Sequence, residues 1–418
     1  MTKQASTINL KNGIRVVFVE EKTLKDTGLG VGIPAGVYWE EENHLGTSHL
    51  LEHLISRLEV NGASLRETIY KTGGVFDAAT SISHTYFFLY ALNQDFHKSV
   101  EAFIRGIFYP NFREGALIEA KESIISEMAE TRRLTAYEVL RSLMWTDPKL
   151  KRSLVGQKET LLTLGMDDIV NYHRLRYLTP GVSVVVIGPK LPKYIISLLE
   201  SIDMQSQGIE SLPLPTINSP QYRIFEDGDL HSTLTLAFPT KGYKDLGEGR
   251  HLFRLAANVL NSTYISSLAK AGFIYKSNWS WNVFPTSGEF ILEFPDLAAE
   301  HTPTVIKTVA GLVDDWSKLK ISQTEFSLIK KQRILAVRMV EGLSESLPLI
   351  TKDFSSSSEA HTFEEAIGVY RSAKLITTLK TAARVLLTSK PFLVVDMGDD
   401  SLKYTTEIKG FLDNYYGS

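Results

Sequence analysis

The 418-residue sequence contains no cysteine. Disulfides, thiolate nucleophiles and thiolate metal ligands are therefore excluded, and any metal site must be built from histidine and carboxylate. There is also no excess of one sign of charge: 45 Lys and Arg against 48 Asp and Glu leave a formal net charge of −3. Such a chain has no basic field for nucleic acid or anionic lipid, and neither is expected as a partner. No apolar run reaches the ~18–20 residues that a membrane helix needs, and the start MTKQASTINLKNG lacks the basic-then-apolar order of a signal peptide. The expectation is a cytoplasmic protein with no membrane span. GLGVG (28–32) lacks the following helix that a dinucleotide site requires, so nucleotide cofactors are not indicated.

What is present is ordinary globular material, 43% hydrophobic and 22% charged, long enough for two or three domains. TINLKNGIRVVFVE (7–20) alternates around Asn12-Gly13 as a hairpin does, and TGLGVGIPAG (27–36) reads as a further strand. A helix is expected from Thr47 or Ser48, either of which can cap it, with Leu50, Leu51, Leu54 and Ile55 facing inward. VNGASLRETIYKTGG (60–74) reads as a turn and short helix, and VFDAATSISHTYFFLYAL (75–92) as β-rich. From Gln94 to Tyr177 the pattern is mostly helical, and GVSVVVIGPK (181–190) is an apolar strand of the fully buried kind. SQGIESLPLPTINSPQ (206–221), with three prolines, reads as a linker.

An internal repeat organises the rest. HSTLTLAFPT (231–240) resembles DTGLGVGIPA (26–35), with Pro34 and Pro239 aligned at an offset of 205, and KPFLVVDMGDD (390–400) echoes GVSVVVIGPK. Two homologous α+β domains are expected, 1–205 and 222–418, joined by the linker 206–221. The same offset places Arg254, Ala257 and Asn258 opposite His49, Glu52 and His53, so only the first domain carries that cluster.

The stretch HLGTSHLLEHLISR (44–57) holds the chemistry. On a helix, His49 and His53 are i and i+4, and Glu52 lies on the same face, so two imidazoles can share one metal ion. A solvated helix face explains three ligand-type side chains on one stripe poorly. Catalytic zinc needs a third protein ligand, an open position and a base for water. EGALIEAKESIISEMAETRR (114–133) offers Glu119, Glu122, Glu127 and Glu130. Of these, Glu127 is flanked by Ile124, Ile125 and Met128, which puts it near a buried seam where a carboxylate needs a partner.

His49-x-x-Glu52-His53 followed 74 residues later by Glu127 resembles the inverted zincins, the pitrilysin and mitochondrial-processing-peptidase family. NGIRVVFVE, AGVYWEEENHLGTSHLLEHLI, TGGVFDAATS, EAKESIISEM and YLTPGVSVVVIG occur in that family's order and spacing. The resemblance implies a small two-domain, bacterial-type chain that binds zinc through His49, His53 and Glu127 and uses Glu52 as base without ligating the metal. It further implies two duplicated domains, each an antiparallel-rich sheet packed with helices, forming half of a clam-shell peptidase chamber. Peptide substrate would add as a strand to the segment holding Gly74, Phe76, Asp77, Ala78, Ala79 and Thr80.

Three positions depart from the family pattern. The family's further glutamate, seven residues before the third ligand, is here Ala120, with Glu119 next to it as the candidate to support the metal ligands in its place. Its Arg and Tyr, seven apart in the second domain, find Tyr275 but Leu268, with Lys270 misplaced. Asp77 stands where Asn is more usual. With the donor set for the oxyanion incomplete, the expected assembly is a heterodimer with a homologous chain that supplies an Arg/Tyr pair; a homodimer is the second choice. The expected function is a zinc metalloendopeptidase cleaving peptides or leader segments, and the alternative is a non-catalytic structural or assembly subunit. His84 is read as a structural strand residue, His44 as a turn residue, and His173 and His251 have no ligand spacing.

Overall fold

The computed structural model describes residues 4–417 apart from 61, 131–135, 206–211, 227–229, 314–315, 317–318, 340–341 and 358–362. The chain divides into two compact units. The first comprises Met1–Arg132, Arg152–Leu212 and Met339–Glu365. Its hairpin forms as the sequence implies: Gly13, at φ +89°, turns β1 (Gln4–Asn9) back on β2 (Arg15–Glu20). With β3 (Asp26–Ile33), β4 (Val75–Thr80), β5 (Thr85–Leu92) and β6 (Ser183–Gly188) these build a six-stranded sheet of order β1-β2-β6-β3-β5-β4. Only β2 and β6 pair in parallel. The Val-Val-Val-Ile run of β6 is buried on both faces, as its lack of alternation requires. At the end of the sheet, β4 pairs with β5 on one edge and, among the described residues, with no strand on the other.

One face of the sheet is covered by α1 (Thr47–Ser56), α2 (Leu65–Lys71), α3 (Phe96–Phe108) and α4 (Glu114–Glu130), which share a core with β3, β5 and β6. The other face is covered by helix Leu343–Ser357, from the far end of the chain. Its docking explains the glycines of β3. Residues 343, 347, 351 and 355 form one ridge, whose ~6.0 Å step per four residues nearly matches the ~6.6 Å step of every second strand residue. A Cβ at Gly28 would lie 2.9 Å from the side chains of Leu343 and Leu347, and one at Gly30 or Gly32 would collide with Thr351 or Ser355. The GLGVG stretch is a helix seat.

The second unit comprises Arg133–Lys151, Pro213–Arg338 and Ala366–Ser418. Its strands are β7 (Tyr222–Phe225), β8 (Ser232–Lys241), β9 (Asn278–Val283), β10 (Ser287–Leu297) and β11 (Phe392–Asp396), in the order β9-β10-β8-β11-β7. Without β1, the first sheet has this same succession, with the single parallel pair at the same end. The duplication read from the sequence is thus present in the topology, and both sheets are antiparallel-rich α+β layers.

The expected domain boundaries need correction at two helices. Helix Ala136–Met144, expected in the first domain, packs on β8 and β11 of the second unit. Its neighbourhood is fixed by the buried carboxylate of Glu289 on β10, which accepts from Tyr137 Oη (2.6 Å) and Trp145 Nε1 (2.8 Å) and lies 3.4 Å from Arg141 Nε. Helix Leu343–Ser357 makes the reverse exchange. Part of the expected linker, 206–211, lies outside the described residues; from Pro213 on it is held in the second unit, where Thr146 N–H donates to the Thr216 carbonyl (3.1 Å). Among the described residues, no helix is long and apolar enough to cross a membrane.

Candidate metal centre

Helix α1 is set by its apolar face and by its first turn. Leu50, Leu51, Leu54 and Ile55 are fully buried against the sheet, which turns His49, Glu52 and His53 the other way. The helix starts at Thr47 as expected, but neither Thr47 nor Ser48 caps it. The Glu40 carboxylate does so from the preceding segment, accepting from Gly46 N (2.8 Å) and Ser48 N (2.7 Å). Burial pushes the Glu40 carboxyl pKa up, opposed by those N–H groups and by Arg152. Arg152 braces the same segment, donating to the carbonyls of Val37 (3.1 Å) and Glu40 (2.6 Å). Sequence reasoning missed Glu40, because the cap comes from outside the helical period; its signal was an acidic residue eight positions before Ser48.

The three expected ligand residues converge. His49 Nε2 and His53 Nε2 are 3.1 Å apart, and Glu127 Oε2 lies 3.8 and 3.6 Å from them. Tetrahedral coordination at about 2.0–2.2 Å separates neighbouring ligand atoms by roughly 3.3–3.5 Å, so this triangle fits an ion with little movement. Among the described residues, His49, His53 and Glu127 form the one group of at least three acids and histidines able to hold a metal ion. Burial depresses the pKa of His49, with Glu127 opposing, and lowers that of His53 to about 4, helped by His49, Arg57 and Arg66. Both imidazoles are therefore neutral at pH 7, the form that ligates.

Arg57 Nη1 lies 3.3 Å from His53 Nδ1 and 3.3 Å from the His53 carbonyl oxygen. The remaining His49 nitrogen, Nδ1, is buried without a hydrogen-bond partner. A metal-ligating histidine ordinarily donates its second nitrogen to a carboxylate or carbonyl. Glu119 does not supply that partner: it is exposed on α4, eight residues and ~12 Å along the helix from Glu127, while Ala120 is in the core. Contrary to expectation, Glu119 is thus not placed to hydrogen-bond a ligand of the metal.

Glu52 stands beside the triangle and outside it. Thr80 Oγ1 donates to Glu52 Oε2 at 2.6 Å, joining the base to the edge strand β4. Burial, chiefly, raises the Glu52 pKa to about 7; Thr80 and Arg66 lower it, Glu127 and Asp77 raise it further. A carboxyl so placed can take and return a proton near neutrality. Of the expected substrate segment, Thr80 thus holds the base, while Phe76 packs its ring in the core against Phe87 and Phe103, and Gly74 is buried. Asp77 is exposed and accepts from Ala78 N (2.9 Å), and Ala78 and Ala79 are half-buried.

In the second unit, Tyr275 is 87% exposed and Leu268 is buried. The helix Gly249–Val259 repeats α1 without its chemistry: Asn258 Nδ2 donates to the Arg254 carbonyl (2.7 Å), and the Arg254 guanidinium lies over the Trp281 ring. Outside the triangle, His84 is held by Ser83 (2.8 Å) and His173 by the Ile107 carbonyl (2.8 Å).

Residues 15–158 match the model of the insulinase family of peptidases, Peptidase family M16. Over 366 residues, 81% of this chain and 73% of the relative, the sequence is 23% identical to the mitochondrial-processing peptidase subunit beta of Bos taurus. The fold is similar to a protease from Helicobacter pylori (TM-score 0.82, 17% identity, 95% of this chain and 100% of that one). It is equally similar to a peptidase M16 inactive domain from Pseudomonas fluorescens (TM-score 0.82, 15% identity, 94% and 98%).

Proposed function

From its homology to the M16 peptidases, we propose that this chain is the zinc-bearing subunit of an endopeptidase that cleaves peptides or leader segments. The observation that carries the reading is the triangle of His49, His53 and Glu127 with Glu52 beside it. Zinc held there would supply Lewis acidity to water and to a peptide carbonyl at neutral pH. Glu52 accepts the proton of the attacking water and passes it to the leaving amine, its carboxylate held by Thr80. The free edge of β4 binds the substrate backbone by strand addition, displacing the Asp77 carboxylate from Ala78 N.

The oxyanion needs a preorganised donor as well as an activated water. Tyr275 is exposed and can serve, but the position seven residues before it is the buried Leu268. A homologous chain without H-x-x-E-H supplies an Arg/Tyr pair in a heterodimer, in the cytoplasm, and two such chains close the chamber. The similarity to a chain described as a subunit supports this assembly. The similarity to a domain described as inactive favours the alternative, a non-catalytic assembly subunit. Titrating the metal-free chain with zinc separates them: one equivalent bound tightly, with chelator-sensitive peptide cleavage once the partner is added, is expected. Failure to bind stoichiometric zinc would leave the assembly role.

A further inference from the structure

Beside the metal triangle, within the first unit, lies a cavity of about 320 Å³ lined by Glu52, His53, Ser56, Arg57, Ser64 and Arg66. That volume is at the lower end of the roughly 300–1,000 Å³ typical of ligand pockets. Its charge is unusual for a site whose neighbours are acidic. Two guanidiniums face it and only one carboxylate, Glu52, lines it. Neither Arg57 nor Arg66 forms an ion pair among the described residues. Arg57 is half-buried and spends one nitrogen on His53, at 3.3 Å from both its Nδ1 and its carbonyl. Arg66 is exposed, with its guanidinium over the Phe76 ring, 5.4 Å from the centroid. The Ser64 hydroxyl accepts from Glu67 N, which leaves its own proton to donate.

We propose that this cavity is a specificity subsite that receives a carboxylate side chain, Asp or Glu, of the residue flanking the scissile bond. The inference rests on the peptidase reading above. Arg66, standing out from α2 next to the edge strand, and Arg57, at the end of α1, approach a substrate side chain from two sides. Guanidinium is the group best matched to a carboxylate, through paired N–H donors. Arg57 engages His53 through Nη1 alone, and its guanidinium already lines the cavity. Glu52 keeps a carboxylate from sitting deeper, so the acidic side chain is held at the guanidinium end while the peptide bond stays at the base.

The test uses the metal-free full chain together with its partner chain, which keeps Glu52 in place and cannot cleave, and reads affinity by fluorescence anisotropy. The probes are peptides made both with an amidated and with a free C-terminus, identical except for Glu, Gln, Leu or Lys at each of the two positions around the scissile bond. The Glu peptide is expected to bind about tenfold tighter than its Gln isostere at one of those positions, a difference of about 1.4 kcal/mol. Adding Arg66→Ala or Arg57→Ala should erase most of that ratio, and Arg66→Glu should turn it toward Lys. Equal affinity for Glu and Gln peptides, or a Glu preference that survives both Arg→Ala changes, overturns the subsite. A preference seen only in peptides with a free C-terminus overturns it too, since the carboxylate read would be the chain end. Absence of binding by every peptide overturns the peptidase reading itself, whereas binding without charge preference overturns the subsite alone.

Discussion

His49, Glu52, His53 and Glu127 were legible before any coordinates, because helix geometry converts i, i+3 and i+4 into one face and an apolar flank marks a seam. Glu40, Thr80 and the orphaned Nδ1 of His49 were not, because each depends on a partner brought close by the fold. Those partners are testable. Glu40→Ala removes two charge-assisted bonds at the start of α1 and should destabilise the protein by ~2–4 kcal/mol, read as a lower urea midpoint at unchanged slope. Thr80→Val should leave zinc content unchanged and lower kcat about tenfold, since only the base loses its tether; loss of zinc in that variant would place Thr80 in the metal site instead. Three buried histidines set a pH limit. Burial lowers His84 and His251 to about 3 and His173 to about 4. Their folded pKa values lie below the unfolded value of 6.5, so the unfolded chain takes up protons that the folded chain refuses. Stability is complete above about pH 6.5 and is lost as pH falls toward about 4 to 3, by up to ~1.4 kcal/mol per pH unit for each histidine. Urea midpoints that hold constant from about pH 6.5 to pH 5 would contradict this.

The individual strands and helices followed their sequence periods closely. The buried run of β6 and the Asn-Gly hairpin stand where the pattern put them, and β4 and β5 lie in the stretch that read as β-rich. What periodicity could not assign was the sheet on which an amphipathic helix lies. Helix Leu343–Ser357 carries a plain apolar stripe, and nothing in that stripe names the first sheet; the counterpart signal was the glycine series of β3, meaningful only once the two are together. The account expects Gly30→Ala to force the Thr351 side chain aside and to destabilise the protein by ~1–3 kcal/mol. The pair Gly30→Ala with Thr351→Ala should recover part of that loss in a double-mutant cycle. An additive result would mean that the helix is not seated on Gly30.

For the protein as a whole, the duplication was visible at an offset of 205 residues and is repeated in the order and polarity of both sheets. The two exchanged helices were hidden, since each lies far in sequence from the sheet it covers. Duplication left one half with the metal set and the other with Arg254, Ala257 and Asn258 on the matching helix. Leu268, seven residues before Tyr275, leaves the oxyanion donor set incomplete, and a second, homologous chain is therefore expected to complete the catalyst, with the single chain weakly active and the mixture at least tenfold more so. The central claim remains that the first unit holds zinc through His49, His53 and Glu127 while Glu52 handles protons alone. It is tested most directly by bound zinc measured in parallel with peptide cleavage for Glu52→Gln and His53→Ala, each paired with the partner chain. The account predicts about one zinc per chain and no cleavage for Glu52→Gln, and little zinc for His53→Ala. A Glu52→Gln chain that loses its zinc, or one that still cleaves peptide at the parent rate, would contradict it.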